Sequence, residues 1–288
     1  MATSSYTRDP APVRWGLRVV TVGYVVLLVA WPTALVFKNA FADGVGAFLD
    51  SFKDPEIGHA LYLTGYVTFF AVLINLVFGL TISILLVRYD FPGKRFLSAM
   101  LDVPLSVSPV VVGLSLVLVY NGRDGWFGPA LENAGFQIIF STPGMIMATV
   151  FVALPLMIRE VVPVLEEIGD DQEQAARSLG ANAAQTLRRI TLPAIKWAVV
   201  YGVVLSLARS LGEFGAVKVV AGNVSGETTT APVLVQQKYQ NFEQQTAYVV
   251  AFILVAVAVI SLIVVALLRP RDYKPSRATA TAAIQEKI

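Results

Sequence analysis

The chain has 288 residues, of which 56% are hydrophobic and 15% charged, with a formal net charge of +2, one histidine and no cysteine. Soluble domains carry about 25% charged residues, so this composition describes an integral membrane protein. The balanced charge gives no footprint for nucleic acid. The missing cysteines exclude disulfides, thiol catalysis and cysteine-ligated metal, and a lone His59 excludes a histidine cluster.

Residues 1–16 read as a polar cytoplasmic start. Six apolar segments follow, near 17–37, 60–87, 97–120, 144–163, 194–221 and 246–268. Each suits the roughly 20 residues a helix needs to cross a bilayer core. The predicted fold class is all-α, a polytopic bundle of six transmembrane helices. The first segment has a basic start and a cleavage-like Ala40-Phe41-Ala42. Its apolar run is longer than the roughly 7–15 residues of a signal-peptide core, so it is read as a retained span, forming with its outer loop a region 17–59. Residues 60–268 form the core domain, with a cytoplasmic loop at 164–193, and 269–288 form a polar cytoplasmic tail.

Lys and Arg set the orientation. With the N-terminus inside, sixteen fall on cytoplasmic segments and five on outer ones, and Arg209 lies within a span. That bias is a positive-inside signal and puts both termini and the 164–193 loop in the cytoplasm.

Prolines interrupt the spans at Pro32, Pro104, Pro109 and Pro155. Each frees backbone carbonyls that a neighbouring helix or a wet cavity must satisfy. The run Asp102-Val103-Pro104-Leu105-Ser106-Val107-Ser108-Pro109 opens the third segment with hydroxyls and two prolines. It fits a kinked, water-lined gate carrying Ser106 and Ser108, and equally a helix beginning at the interface.

The loop between the fourth and fifth spans is patterned. Asp170 followed by Glu173 is an N-terminal capping signature. Ala175, Ala176 and Leu179 form a small apolar face, and Gly180 stops the helix. Asn182 and Gln185 repeat a cap-like pair, and Pro193 is expected to end the segment. A helix of about nine residues is marginal alone in water, so it needs a groove in a partner or a membrane surface to lie on.

In the fifth span, Arg209 and Glu213 are four apart and share a helix face. Charges at membrane depth are paired, buried or facing water. Two readings stand: Arg209 attracts an anion in a pathway, or the two form an ion pair that locks the span. Beyond it, the outer loop 222–245 is rich in Gly, Thr, Asn and Gln and reads as a surface for another protein. No Gly-x-x-x-x-Gly-Lys loop is present, so the chain is not expected to bind ATP, and no catalytic set or metal motif is found.

The stretch Glu173-Gln174-Ala175-Ala176-Arg177-Ser178-Leu179-Gly180, nine residues, then Ile190-Thr191-Leu192-Pro193 resembles the EAA loop of ABC-importer permeases. Ala175, Ala176, Gly180, Ile190, Leu192 and Pro193 fall on that pattern, whereas Gln174 stands where the family has Glu, with Glu173 one residue early. The resemblance implies a type I permease bundle whose short coupling helix (Glu173, Gln174, Ala175, Ala176, Leu179, Gly180) docks on a dimer of ABC ATPase subunits. It implies a non-catalytic chain without a cofactor of its own, with ATP and Mg on that partner.

The likeness covers roughly residues 60–268. DVPLSVSPVVVGL from Asp102 to Leu114, Arg159 to Val164, ARSLGEFGAVKVVAG from Ala208 to Gly222, and GETTTAP from Gly226 to Pro232 resemble the W-type permeases of sulfate/thiosulfate importers. Molybdate permeases share the core around Arg209, Gly212, Glu213 and Phe214, so molybdate or tungstate is the alternative substrate. A secondary transporter would be expected to carry more ionisable groups at mid-membrane. The resemblance further implies a second, T-type permease subunit and an extracytoplasmic sulfate-binding protein as partners.

Overall fold

The computed structural model describes residues 11–222 and 224–268; the start of the 1–16 segment and the 269–288 tail lie outside them. Among the described residues every regular element is helical. In chain order they are α1 (Ala11–Val25), α2 (Trp31–Ala40), α3 (Gly44–Asp50), α4 (Pro55–Arg88), α5 (Lys94–Ser106), α6 (Pro109–Tyr120), α7 (Gly128–Asn133), α8 (Thr142–Ile168), α9 (Asp171–Ser178), α10 (Ala183–Thr186), α11 (Leu192–Leu211), α12 (Gly215–Val220), α13 (Ala231–Gln240) and α14 (Gln244–Leu268). Five stretches are long and apolar enough to cross a membrane: Pro12–Ala40, Pro55–Arg88, Thr142–Ile168, Ala183–Leu211 and Gln244–Val264.

The third predicted span, 97–120, is bent, as the kinked reading of its prolines expected. α5 and α6 meet at a bend of 113°. Pro109 disfavours the helical conformation at Ser108 just before it, and the chain already leaves the helix at Val107, which is extended at φ −95°, ψ 139°. The fifth span, expected to run over 194–221, also breaks: α11 stops at Leu211 and α12 begins at Gly215.

Pro193 does not end its segment. A π-helical turn, Leu187–Thr191, precedes it, and the Leu192 N–H bonds the Leu187 carbonyl five residues back. The same device precedes Pro32, where Val26–Ala30 is π-helical and the Trp31 N–H reaches the Val26 carbonyl. A proline ring collides with the carbonyl four residues earlier. Widening that turn moves the carbonyl aside, and each helix continues through its proline.

The chain forms two compact units. Of the described residues, one comprises those up to 67, 109–148 and 211–256; the other comprises 68–108, 149–210 and those from 257 on. The first is centred on buried Ile57, Ala60, Ala231, Leu234 and Val250. α13 is joined to α4 there, the Ala231 N–H donating to Thr64 Oγ1 at 2.7 Å. Part of the 222–245 loop, expected as surface, is therefore core: Thr229, Thr230, Ala231, Val233 and Leu234 are buried. Phe41 stacks on Phe48 at 4.5 Å and meets the Phe252 edge at 5.3 Å, which ties the end of α2 to α14.

The second unit packs α4, α8 and α11 around Met157, which is fully buried. A Cβ on Gly79 would lie 2.6 Å from Met157 Cγ, and one on Gly202 2.4 Å from its Sδ. Small residues let apolar helices approach closely where burial from water supplies no driving force. Nearby, fully buried Asn75 donates from Nδ2 to Ser206 Oγ at 3.2 Å and bonds α4 to α11.

Candidate functional site

The 169–191 segment folds as a short helix between two glycine turns. Gly169 has φ +70° and Gly180 φ +86°. At the α9 C-terminus the Ala181 N–H bonds the Ala176 carbonyl at 3.0 Å and the Gly180 N–H bonds the Arg177 carbonyl at 3.0 Å. These two bonds are the Schellman closure, which places a left-handed glycine just past the helix. The predicted stop at Gly180 is borne out. So is the second cap: the Gln185 N–H donates to Asn182 Oδ1 and the Asn182 N–H to Gln185 Oε1, both at 2.9 Å.

The first cap is not. Asp170 occupies the N-cap position without a side-chain cap bond. Its carboxylate accepts instead from Gln174 Nε2 at 2.8 Å. Glu173, expected as the reciprocal half of that cap, turns away and is 7% exposed. The reason is Arg88, the last residue of α4. Its Nε lies 3.2 and 3.1 Å from the two Glu173 carboxylate oxygens, and Thr191 Oγ1 donates to Glu173 Oε1 at 2.8 Å. A largely enclosed guanidinium outcompetes a backbone N–H for a carboxylate, because it brings a full opposite charge as well as the hydrogen bond.

Arg88 does more than neutralise Glu173. Nη1 donates to the Leu165 carbonyl at 3.1 Å and Nη2 to the Gly169 carbonyl at 2.7 Å. These are acceptors at and just past the C-terminal end of α8, where a cation complements the helix dipole. One side chain thus joins α4, α8, α9 and, through Thr191, the start of α11. Arg88 was not among the residues singled out from the sequence. Its only signal there was a basic residue ending an apolar run, which any span end supplies.

The opposite side of α9 is open. Gln174, Ala175, Arg177 and Ser178 are exposed, and Leu179 is 90% exposed. Ala176 is half-buried. α9 is thus held from behind and presents an open face of small residues and one exposed leucine.

The helices that follow the two breaks, α6 and α12, come together in the first unit. α6 and α12 pack start against start. A Cβ on Gly215 would lie 3.0 Å from Pro109 Cβ, and one on Gly113 would lie 2.8 Å from both the Ala216 carbonyl oxygen and Val219 Cβ. Parallel half-helices set their positive dipole ends side by side. The Glu213 carboxylate, 3% exposed, accepts from the Ala216 N–H at 3.0 Å and supplies negative charge there.

Because α11 ends at Leu211, the single helical face expected to carry Arg209 and Glu213 is interrupted between them. Arg209 is half-buried in the last turn of α11. Ser106 and Ser108 are exposed at the α5–α6 break, and Ser106 Oγ bonds the Asp102 carbonyl of its own helix at 3.3 Å. Asp102 in turn pairs with Arg159 of α8 at 2.9 Å.

At the far end of α4, Glu56 accepts from Ser225 Oγ and pairs with Lys238 of α13 at 3.0 Å, while Lys238 also meets Glu243 at 2.9 Å. Glu243 raises the Lys238 pKa above the usual lysine value; desolvation opposes the shift and Glu56 reinforces it. His59 Nε2 donates to the Glu227 carbonyl at 3.1 Å. These bonds fold the 224–243 region onto the start of α4.

Residues 75–271 match the family described as binding-protein-dependent transport system inner membrane component. The chain is 45% identical over 254 residues to the "Sulfate transport system permease protein CysW" of Synechococcus elongatus, covering 88% of each chain. It is 40% identical over 267 residues to the protein of the same name from Escherichia coli, covering 91% of each. In fold it is similar to a chain of a bacterial ABC transporter involved in the import of the acidic polysaccharide alginate, with TM-score 0.75, 16% identity, and 91% and 96% of the two chains covered. With a match over residues 75–271 and relatives at 40–45% identity, this chain belongs to the binding-protein-dependent transport system inner membrane components.

Proposed function

We propose that this chain is the W-type permease subunit of an ATP-driven sulfate importer. It forms half of a translocation pore with a second, T-type permease and takes its substrate from an extracytoplasmic sulfate-binding protein. The single observation carrying the substrate is the 45% identity, over 88% of both chains, to a relative named as a sulfate permease. The observation carrying the mechanism is α9, fixed from behind by Arg88 and open in front at Ala175 and Leu179.

On this reading α9 docks on an ABC ATPase, one of a pair that holds ATP and Mg. The permease does no chemistry. ATP binding draws the ATPase pair together and displaces α9, and the spans exchange inward-open for outward-open states according to their differential affinity for the two ATPase states. Ser106 and Ser108 lie on the anion's route, where their hydroxyls replace part of its hydration, and Arg209 serves with Glu213 in the scaffold. Both termini face the cytoplasm.

The test is uptake of radiolabelled sulfate by a strain lacking its own sulfate permease and expressing this chain with its partners, alongside purification of whatever the chain holds. ATP-dependent sulfate uptake with a co-purifying ATPase and second permease supports the proposal. Uptake of molybdate or tungstate in its place moves the substrate to the other oxyanions. Uptake driven by a proton gradient, without an ATPase, overturns it.

A further inference from the structure

The bonds behind α9 raise a question that its docking face does not answer: how does a push on an eight-residue helix reach the spans? α9 lies between two left-handed glycine turns, Gly169 and Gly180. Neither glycine has any atom within 4 Å of where a Cβ would stand. Neither turn is buttressed by side-chain packing, and a helix this short has little rigidity of its own. Along the chain, then, α9 is joined to α8 and α10 by two unpacked glycine turns.

Across the chain it is joined differently. The Glu173 carboxylate accepts from Arg88 Nε and from Thr191 Oγ1, while the remaining Arg88 nitrogens hold the Leu165 and Gly169 carbonyls. The Arg88 and Glu173 side chains are only 11% and 9% exposed. Leu165 and Ile195, on α8 and α11 beside this cluster, are themselves buried in the core of the same unit. The tie therefore pins the Gly169 turn, spans the Gly180 turn, and runs from α9 into the packed ends of α4, α8 and α11.

We propose that Arg88, Glu173 and Thr191 are positioning residues that form a transmission clasp, making α9 move as one body with the ends of α4, α8 and α11. This rests on the reading of α9 as the ATPase-docking helix. With the clasp open, the exposed face at Ala175 and Leu179 still docks, but α9 turns on Gly169 and Gly180 and its displacement does not reach the spans. The signature is uncoupling: ATP hydrolysis continues while transport per ATP falls.

The experiment uses the whole importer purified from membranes and reconstituted in vesicles with its binding protein. Glu173→Gln keeps the shape and removes the charge; Arg88→Gln removes the fork; Arg88→Lys keeps the charge but cannot hold two carboxylate oxygens and two carbonyls together. Three quantities are read: ATPase co-purified per permease, ATP hydrolysed, and sulfate taken up per ATP. For Glu173→Gln and Arg88→Gln, co-purified ATPase is expected within about twofold of wild type, as for a change that leaves the docking face untouched. Sulfate per ATP is expected to fall roughly tenfold or more, within the usual range of coupling factors between distant sites, with Arg88→Lys intermediate.

Unchanged sulfate per ATP in both glutamine variants overturns the clasp. So does loss of co-purified ATPase in proportion to uptake, which would make the bonds a matter of folding or docking. If the wild-type complex itself holds no ATPase, the reading of α9 fails instead, and the clasp with it.

Discussion

Gly113 of α6 and Ala216 of α12 are in direct backbone contact: a Cβ on Gly113 would stand 2.8 Å from the Ala216 carbonyl oxygen. Because the obstacle is backbone rather than a movable side-chain tip, the two half-helices must separate to admit even a methyl group. Overpacking of this kind costs about 1–3 kcal/mol. Gly113→Ala is expected to lower the thermal midpoint of the purified complex and to reduce sulfate uptake, and Gly113→Val to do so more strongly. Gly65→Ala in α4, where nothing lies within 4 Å, is the matched control and is expected to be neutral or slightly stabilising. Equal melting of the Gly113 and Gly65 variants would show that the close approach is unimportant.

The sequence made the helical class, the apolar segments and the loop pattern legible, because these depend on composition, period and local turn chemistry. Gly180 and the Asn182–Gln185 box were readable for the same reason: each is satisfied by atoms within four residues. Glu173 was misread because its partner, Arg88, is 85 residues away. No local rule separates a glutamate that caps its own helix from one that a distant guanidinium removes. Pro193 was misread for a different reason: a π-turn absorbs the proline, and nothing in Leu187–Thr191 announces it. The kink at Val107–Ser108 was one of the two readings of the Asp102–Pro109 run, whereas the break at Gly212–Phe214 lay within a run read as one span, although its glycines were in plain view.

Gly180 tests the coupling loop at its turn. At φ +86° any L side chain is strained although space is free. Left-handed backbone costs a non-glycine residue about 1–2 kcal/mol, and most for a β-branched one. Gly180→Val is expected to insert in the membrane normally, to lose co-purified ATPase several-fold, in proportion to about 1 kcal/mol of strain, and to transport poorly. Gly180→Asn, which tolerates this conformation, is expected to retain most of both. Full ATPase recovery in the valine variant would detach the turn from docking.

Topology follows from parity. Arg88 and Glu173 are bonded, so the end of α4 and the 169–191 loop lie on one side of the membrane. One spanning helix, α8, separates them, and a return requires a second crossing, which only the bent α5–α6 pair can supply. Glu56 and Ser225 are bonded at the other end of α4, one crossing away from Arg88. Single cysteines at Ser178, Asp124 and Ser225, all exposed, exploit a chain that has none. An impermeant thiol reagent applied outside whole cells is expected to label positions 124 and 225 and to spare 178. Protection of 124 with labelling of 225 would make α5–α6 a re-entrant loop and break the parity argument.

Arg209 and Glu213 remain the most telling charges within the apolar segments. Glu213 is 3% exposed and engages the Ala216 N–H with one oxygen, and Arg209 stands four residues earlier in the last turn of α11. A charge in this environment is expected to be compensated, and we expect these two to behave as a unit. Removing one partner of a desolvated pair costs about 3–5 kcal/mol, much of it from the charge left behind. The double variant Arg209→Ala/Glu213→Ala should therefore lose clearly less stability than the two single losses added together, with a coupling energy of about 0.5–3 kcal/mol. Thermal stability of the complex and sulfate uptake are measured for both single variants and the double. Losses that simply add would mean that Glu213 serves only as the cap of α12. Stability unchanged throughout, with uptake abolished by Arg209→Ala alone, would take Arg209 out of the scaffold and make it a contact for the permeating anion.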